Sequence, residues 1–303
     1  MHIFYTLLLS LFLLLILILL RNHKLISDKP SHNIRKIHTE TIIKIGGIMI
    51  LSSLTSIYFV ENSHLQLIII FGVLFFLIGL SADLFLNFTW SYRFIIMLLL
   101  LIIIVSNFNF IIINFDHKIL NQIILSSSIL PYVFVVAGYL FIINGFNFID
   151  GNNGLMLGVG IIILLNFKFY TDFDFTDLHL LYNILISSCL LLFIINFITG
   201  KIITGDCGAY FLGFVIGSLG IYLANVNLLF ATQVACLIFY PINELFISFW
   251  RRIIINKSNP FKPDDQHLHS LLHKLIIKKI KENKKYLYIN NNSLTSAIIL
   301  ICF

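Results

Sequence analysis

The chain has 303 residues, 59% of them hydrophobic and 11% charged, with a formal net charge of +6. That composition excludes a soluble domain. Runs such as IFYTLLLSLFLLLILILL (3–20) and LQLIIIFGVLFFLIGL (65–80) approach the roughly 20 apolar residues needed to cross about 30 Å of hydrocarbon. Such runs recur along the chain, so the expected fold is an all-α polytopic membrane protein, a single domain over residues 1–303.

The first run has no basic segment before it and no small-residue cleavage site after it, and Arg21 and Lys24 follow it. It is therefore expected to be a retained transmembrane helix and not a signal peptide. Further spans are predicted near 43–60, 65–86, 92–106, 128–144, 154–167, 178–198, 209–226 and 228–250. A tenth begins near 293 and stops at Phe303, too short to cross. About ten transmembrane helices are expected, the last incomplete, with the chain cut short there.

Lys and Arg stay on the cytoplasmic side of a membrane. With these spans, all but Lys118 and Lys168 of the 20 basic residues fall on one side. The expected topology has the N-terminus outside, in the cell inner (plasma) membrane. Segment 251–292 becomes a basic cytoplasmic loop carrying an HxH motif. The polar clusters at 28–47, 81–93, 144–154, 200–208 and 251–273 share that face, so a site is expected there. A transport pathway would tend to put polar residues at the bilayer midplane.

Five clusters carry the chemistry, and each has a plainer alternative. In DKPSHNIRKIHTETIIKIGG (28–47), Arg35, Lys36 and His38 lead to Gly46 and Gly47. Topology alone explains the charges but not the paired glycines or the histidine. In GLSADLFLNF (79–88), Asp83 lies at a span end, either as a functional carboxylate or as an interfacial one in water. In NGFNFIDGNNGL (144–155), Asn144, Asn147 and Asp150 share a helix face, and Gly151 and Gly154 let the backbone approach a ligand. An Asn carbonyl suits Mg²⁺ when phosphates supply the remaining charge, whereas a polar turn would use the same residues as caps. In TGDCGAYFLG (204–213), Asp206 precedes an apolar span as a helix cap or a metal ligand. In SNPFKPDDQHLHSLLHK (258–274), His267 and His269 point the same way if the segment is extended. A zinc half-site lacks a third soft ligand there. With Arg251, Arg252, Lys257 and Lys262 nearby, a diphosphate clamp fits better. The run Lys278 to Lys285 suits anionic lipid headgroups. Cys189, Cys207, Cys236 and Cys302 form no CxxC pair and are expected to be small packing residues.

Taken together, the segments resemble the polyprenyl-phosphate N-acetylhexosamine-1-phosphate transferases, the WecA, TagO and MraY-type membrane enzymes of glycosyltransferase family 4. The first segment is similar to that family's RKxH…GG pattern and GLSAD to its GxxDD. NGFNFIDGNNGL is similar to NAxNxxDGxDGL, GDCGAYFLG to GDxGSxxLG, and PFKPDDQHLHSLL to PFxPDxxHLHH. The last of these resembles the WecA/TagO branch more than MraY. Four positions differ: Ala82–Asp83 stands for the aspartate pair, Asn153 for the second Asp of DGxDG, His269–Ser270 for HH, and Ile43 where proline is common.

The resemblance implies that a polyprenyl (undecaprenyl) phosphate attacks the β-phosphorus of a UDP-N-acetylhexosamine, UDP-GlcNAc first among the donors. UMP is released and Mg²⁺ is required, with Mn²⁺ as a substitute. Asn147 and Asp206 would ligate the metal, Asp150 and Asn153 would help form the nucleotide pocket, and Asp83 would face the acceptor phosphate. Arg35, Lys36, His38, Asn144, Arg252, His267 and His269 would bind substrate, and Asp83, Asp150 and Asp206 form the implied catalytic set. The product would initiate a lipid-linked cell-envelope glycan such as an O-antigen of lipopolysaccharide, a capsule or a cell-wall teichoic-acid linkage. The bilayer is an expected partner, a nucleic acid is not, and a homodimer is expected from dimeric relatives. Two alternatives remain open: a membrane carrier for a lipid or nucleotide sugar, and an inactive relative that only binds the donor, motivated by Ala82.

Overall fold

The computed structural model describes residues 1–23, 26–28, 42–85, 87–108, 110–112, 114–172, 174–255, 257, 267–282 and 290–303. Arg35, Lys36 and His38 lie outside the described residues, as does 258–266 of the HxH segment.

Helix α1 (His2–Leu19) is apolar almost throughout, and Leu8, Leu11 and Leu15 stay exposed on one side. A helix hydrophobic all round is a buried or membrane-spanning one. Strand β1 (Ser27–Asp28) pairs antiparallel with β2 (Ile42–Ile43), and a single parallel bridge joins Ile43 to Ile202. After β2 the chain runs as a 3₁₀ helix over Gly46–Thr55 and closes with α2 (Ser56–Phe59). Helices α3 (Ser63–Leu84) and α4 (Trp90–Asn107) follow, then a short α5 (Lys118–Ile124) and α6 (Leu130–Ile149). Next come α7 (Leu155–Tyr170), α8 (Thr176–Thr199) and α9 (Gly205–Asn225). A bent pair, α10 (Ala231–Leu237) and α11 (Phe239–Trp250), ends in a π-type turn at Arg251–Ile255. Helices α12 (Leu268–Glu282) and α13 (Asn291–Cys302) complete the described chain.

Helix α9 is the core, with nearly all its residues buried between α3 and α6. Apolar burial cannot drive helices together within lipid, so close approach through small residues does the work. A Cβ on Gly213 would lie 2.7 Å from the Cα of Ile143, and one on Gly79 would strike the backbone of Asp206 and Cys207. The seam is filled by Phe75 and Tyr139 stacked on Phe214, with centroids 4.5 and 5.3 Å away. The Tyr139 and Ser218 hydroxyls share a hydrogen bond of 2.9 Å, which satisfies both inside the core.

Each of the ten apolar segments contains a helix, but not each helix is a full span. Among the described residues, six are long and apolar enough to cross: α1, α3, α4, α6, α8 and α9. Helices α10 and α11 make a seventh if a 68° bend counts as one broken span. Pro241 lies just past the bend and has no N–H for the carbonyl one turn earlier. Three of the expected segments are shorter, the last of them as expected, although 46–59 and α7 each run from the C-terminal end of α8 to its far end. At 43–60 the chain is mostly 3₁₀; α7 has 16 residues and α13 has 12. At 1.5 Å per residue α7 reaches only about 24 Å, short of about 30 Å of hydrocarbon.

The segment expected to be a basic loop holds a helix, α12. Its apolar positions Leu268, Leu271, Leu272 and Leu275 recur at helical spacing. All four cysteines are free; Cys189 and Cys207 are buried packing residues as expected, while Cys236 and Cys302 are exposed.

Candidate active site

The site is built around the first turn of α9. Segment 42–47 runs beside 201–204: Ile43 N–H donates to the Lys201 carbonyl at 2.8 Å, Gly46 N–H to Ile203 at 2.8 Å and Gly47 N–H to Thr204 at 2.8 Å. These bonds bring the GG of the first cluster against the GDCG of the fourth. Gly205 then turns the chain into the helix with φ +76°, a region that an L side chain rarely adopts. A Cβ there would strike the Lys44 carbonyl and lie 2.8 Å from the Asp83 carboxylate.

The first amides of a helix have no partner within the helix. Here two carboxylates from elsewhere in the chain take three of them. Asp83, at the end of α3, accepts from Asp206 N–H at 3.2 Å and Cys207 N–H at 3.0 Å. Asp150, just past the end of α6, accepts from Gly205 N–H at 3.0 Å. The positive end of the α9 dipole favours both anions. Asp206 is thus relieved of capping its own helix, and its side chain turns outward. Arg93, in the first turn of α4, forms a salt bridge to Asp206 Oδ2 and donates to the Tyr210 hydroxyl at 3.3 Å. Asn147 donates from Nδ2 to Asp206 Oδ1 at 2.6 Å.

Three carboxylates and one guanidinium therefore share a small volume at one end of the bundle. Burial drives the Asp150 carboxyl well above the usual carboxylate range, and the neighbouring Asp206 and Asp83 charges add to the effect. Among the described residues, no group of three His, Cys, Asp or Glu side chains could hold a metal by itself. The reason is geometric: Asp83 and Asp150 are aimed at backbone amides. The oxygens turned outward are those of Asp206, with the Asn147 carboxamide beside it. One carboxylate completed by substrate phosphates is the arrangement Mg²⁺ favours over an all-protein cage, so the residues present fit such an ion.

The 148–151 turn is flanked by the residues expected to form the clamp. The His267 and His269 rings stack at 5.4 Å and 6°, and His267 meets Phe148 edge-on at 5.2 Å. A Cβ on Gly151 would fall 2.6 Å from His269 Nε2, so the ring lies directly on that glycine. The buried Arg252 guanidinium lies 5.8 Å from the Phe148 ring centroid. Glu244 of α11 accepts from Leu268 N–H at 3.4 Å and lies 3.9 Å from His267 Nδ1, tying α12 to α11. Burial pushes the His269 imidazole down to about 3, with His267 and His273 adding to the shift. The ring is neutral near pH 7 and offers hydrogen bonds rather than charge. Positive charge near the turn comes from Arg252 and Arg93.

Asp83, Asn147, Asp150, Asp206, Arg252, His267 and His269 are thus all drawn around the α9 terminus and the 148–151 turn. Two expected residues are engaged elsewhere. Asn144 donates to the Leu140 carbonyl of its own helix at 2.8 Å. Asn153 is buried against α13. Sequence reasoning used Arg93 only as a marker of topology, although a signal was present: it is the sole Lys or Arg between Lys44 and Lys118, and a cation is disfavoured at a helix N-terminus. Glu244, within an apolar helix, carried a similar signal.

The chain is similar to known proteins. The model of the family described as glycosyl transferase family 4 matches residues 65–224, a range that contains Asp83, Arg93, Asn147, Asp150 and Asp206. Over 249 residues the chain is 25% identical to the undecaprenyl-phosphate alpha-N-acetylglucosaminyl 1-phosphate transferase of Thermotoga maritima, covering 82% of this chain and 73% of that protein. Over 98 residues it is 37% identical to a putative UDP-N-acetylglucosamine–dolichyl-phosphate N-acetylglucosaminephosphotransferase of Sulfolobus acidocaldarius, covering 31% of this chain and 30% of that one. The family match spans more than half of the chain and takes in the whole acidic cluster, and the protein is a polytopic membrane member of glycosyl transferase family 4.

Proposed function

We propose that the protein transfers N-acetylhexosamine 1-phosphate from a UDP-N-acetylhexosamine to a polyprenyl phosphate, releasing UMP. The observation that carries this reading is the outward-facing Asp206 carboxylate, held between Arg93 and Asn147 while Asp83 and Asp150 secure the helix beneath it. Both relatives are named for N-acetylglucosamine, so UDP-GlcNAc is the first donor to test. The basic asymmetry of the chain supports a site on the cytoplasmic face of the plasma membrane, where nucleotide sugars are available. The product is the starting unit of a lipid-linked envelope glycan.

In the reaction an oxygen of the lipid phosphate bonds to the β-phosphorus of the donor, and the bond from that phosphorus to the bridging oxygen breaks. UMP leaves with the electron pair. A phosphate monoester has its second pKa near 6, so at cytoplasmic pH the acceptor is mostly dianionic and needs alignment more than deprotonation. Charge neutralisation and in-line positioning dominate phosphoryl transfer. Arg93 supplies positive charge beside Asp206, and Arg252 supplies it at the 148–151 turn. Asp206 and Asn147, with the carboxamide turned over to present its oxygen, would hold Mg²⁺ or Mn²⁺. Such an ion would supply positive charge at the diphosphate. Gly151 and the neutral His269 shape the adjoining wall.

Ala82 favours one rival reading, a relative that binds the donor without turnover. UMP release from UDP-GlcNAc and undecaprenyl phosphate, with divalent cation present and absent, separates the two. Turnover supports the transfer, whereas donor binding without UMP supports the rival.

A further inference from the structure

Helix α12 turns one side to the protein and leaves the other exposed. On the inner side His269 and His273 are buried, Leu272 packs against the apolar core, and His273 Nδ1 meets Thr295 Oγ1 of α13 at 3.2 Å. The Glu244 carboxylate of α11 holds Leu268 N–H at 3.4 Å. On the outer side Leu268, Leu271, Leu275 and Lys278 recur at helical spacing, with Lys274 and Lys279 flanking them. The three leucines are 54%, 44% and 57% exposed, and the three lysines are exposed too. The outer side is therefore apolar over its first two turns and basic beyond them.

The packing of α12 does not need those leucines, and water would not favour them as one stripe. The element that α12 is tied to shows what they meet. Trp250 at the end of α11 and Ile253 in the turn after it are exposed and apolar, as expected of a surface in contact with lipid, and tryptophan collects at the membrane–water boundary. A helix that crosses the bilayer would not place three lysines on its lipid side. One that lies in the interface carries leucine and lysine together. The charge agrees: residues 268–282 hold four lysines and one acidic residue, Glu282, and the cytoplasmic leaflet is anionic.

We propose that α12 is a membrane-surface helix whose leucine stripe enters the boundary between headgroups and acyl chains, while Lys274, Lys278 and Lys279 take the phosphates of anionic phospholipids. The lysine stems lie along apolar surface and their ammonium groups reach the headgroup level. Lipid then holds α12 from outside, as Glu244 and α13 hold it from inside. His267 precedes the helix, and His269 in its first turn lies directly on Gly151. Anionic lipid thus acts on the site without entering it, by keeping the two histidines on the 148–151 turn.

The docking stands apart from the transferase reading, and only its effect on turnover rests on it. The test is amide hydrogen exchange of the full chain in nanodiscs of phosphatidylcholine, alone or with about 30% phosphatidylglycerol to supply surface charge. Amides 270–280 are expected to exchange roughly 10-fold more slowly with phosphatidylglycerol, because the anchored helix opens less often. Raising NaCl from about 0.05 M to about 0.5 M should remove most of that difference. The Lys274→Gln/Lys278→Gln/Lys279→Gln variant should exchange alike in both lipids, and Leu271→Ser/Leu275→Ser should exchange faster than wild type in both. UMP release by wild type should be several-fold higher with phosphatidylglycerol, and release by the lysine variant should be the same in both lipids. Equal wild-type protection in the two lipids overturns the proposal. So does a phosphatidylglycerol effect that survives loss of the three lysines. Protection confined to discs that hold two copies gives the face to a second copy and overturns it as well. Exchange that responds to lipid while turnover does not overturns the coupling to the histidines. A wild type that releases no UMP from any UDP-sugar overturns the transferase reading instead and leaves the exchange comparison intact.

Discussion

Arg93 is held by the carboxylate it neutralises. In the first turn of α4 the helix dipole opposes a cation, and the salt bridge to Asp206 offsets that. Removing it leaves Asp206 beside Asp83 and Asp150 without this counter-ion, in a site proposed to take further negative charge. Arg93→Ala is expected to lower UMP release by about 10²-fold or more, the scale of losing one charge-stabilising group. Arg93→Lys should recover only part, because a point charge does not reproduce a planar fork. Wild-type turnover in Arg93→Ala would contradict this role.

His269 makes a prediction of opposite character. Its folded-state value of about 3 lies below the ordinary 6.5, so the docked ring is neutral and protonation opposes docking. The stability this burial contributes is fully present above pH 6.5 and is lost as pH falls from there towards 3. The slope is at most about 1.4 kcal/mol per pH unit. Protection of the α12 amides against exchange should therefore decline between pH 7 and pH 5. His269→Gln should flatten most of that decline, with His273, shifted in the same direction, supplying the remainder. Protection independent of pH in the wild type would count against a buried neutral ring.

At the scale of elements, the apolar runs were readable because membrane crossing demands unbroken hydrophobicity, and each run does contain a helix. Their form was less readable. Nothing in IGGIMILSSLTSIYF announces 3₁₀ winding; it follows from Gly46 and Gly47 being hydrogen-bonded to Ile203 and Thr204, a tertiary constraint. Helix α12 was legible in its spacing of leucines but was obscured by lysines read as a loop. The α6–α9 seam carries a direct test. Gly213→Ala would press a methyl 2.7 Å from the Cα of Ile143, a backbone atom, while a Cβ on Gly138 meets nothing within 4 Å. Overpacking of this kind costs about 1–3 kcal/mol. Gly213→Ala should melt earlier than wild type in detergent, and Gly138→Ala should not. Equal melting of the two would show that the seam is looser than drawn.

For the whole molecule, the convergence of dispersed clusters was the most legible part of the site, and side-chain assignments the least. Placing polar segments on one face required only the alternation of spans. That Asp83 and Asp150 would serve the α9 amides, leaving Asp206 to meet Arg93 and Asn147, depended on Gly205 turning the chain with a positive φ and on Gly79 admitting the α9 backbone. Asn153 was assigned to substrate by resemblance, and its partner lies 139 residues away. Orientation in the membrane is testable with single cysteines at 118, 168 and 278 in a cysteine-free background, using a membrane-impermeant thiol reagent on intact cells. Labelling at 118 and 168 but not at 278 is expected. The reverse pattern would invert the topology and move the site away from cytoplasmic nucleotide sugars.

In the proposed transferase the Asp206 carboxylate faces the reacting phosphates and is not a helix cap. UMP release from UDP-GlcNAc and undecaprenyl phosphate, with Mg²⁺, in Asp206→Asn beside wild type tests this role. Because Asp83 and Asp150 already serve the first turn of α9, the variant should fold and melt like wild type while UMP release drops by about 10²–10³-fold. A well-folded Asp206→Asn that turns over at the wild-type rate would remove Asp206 from the reaction.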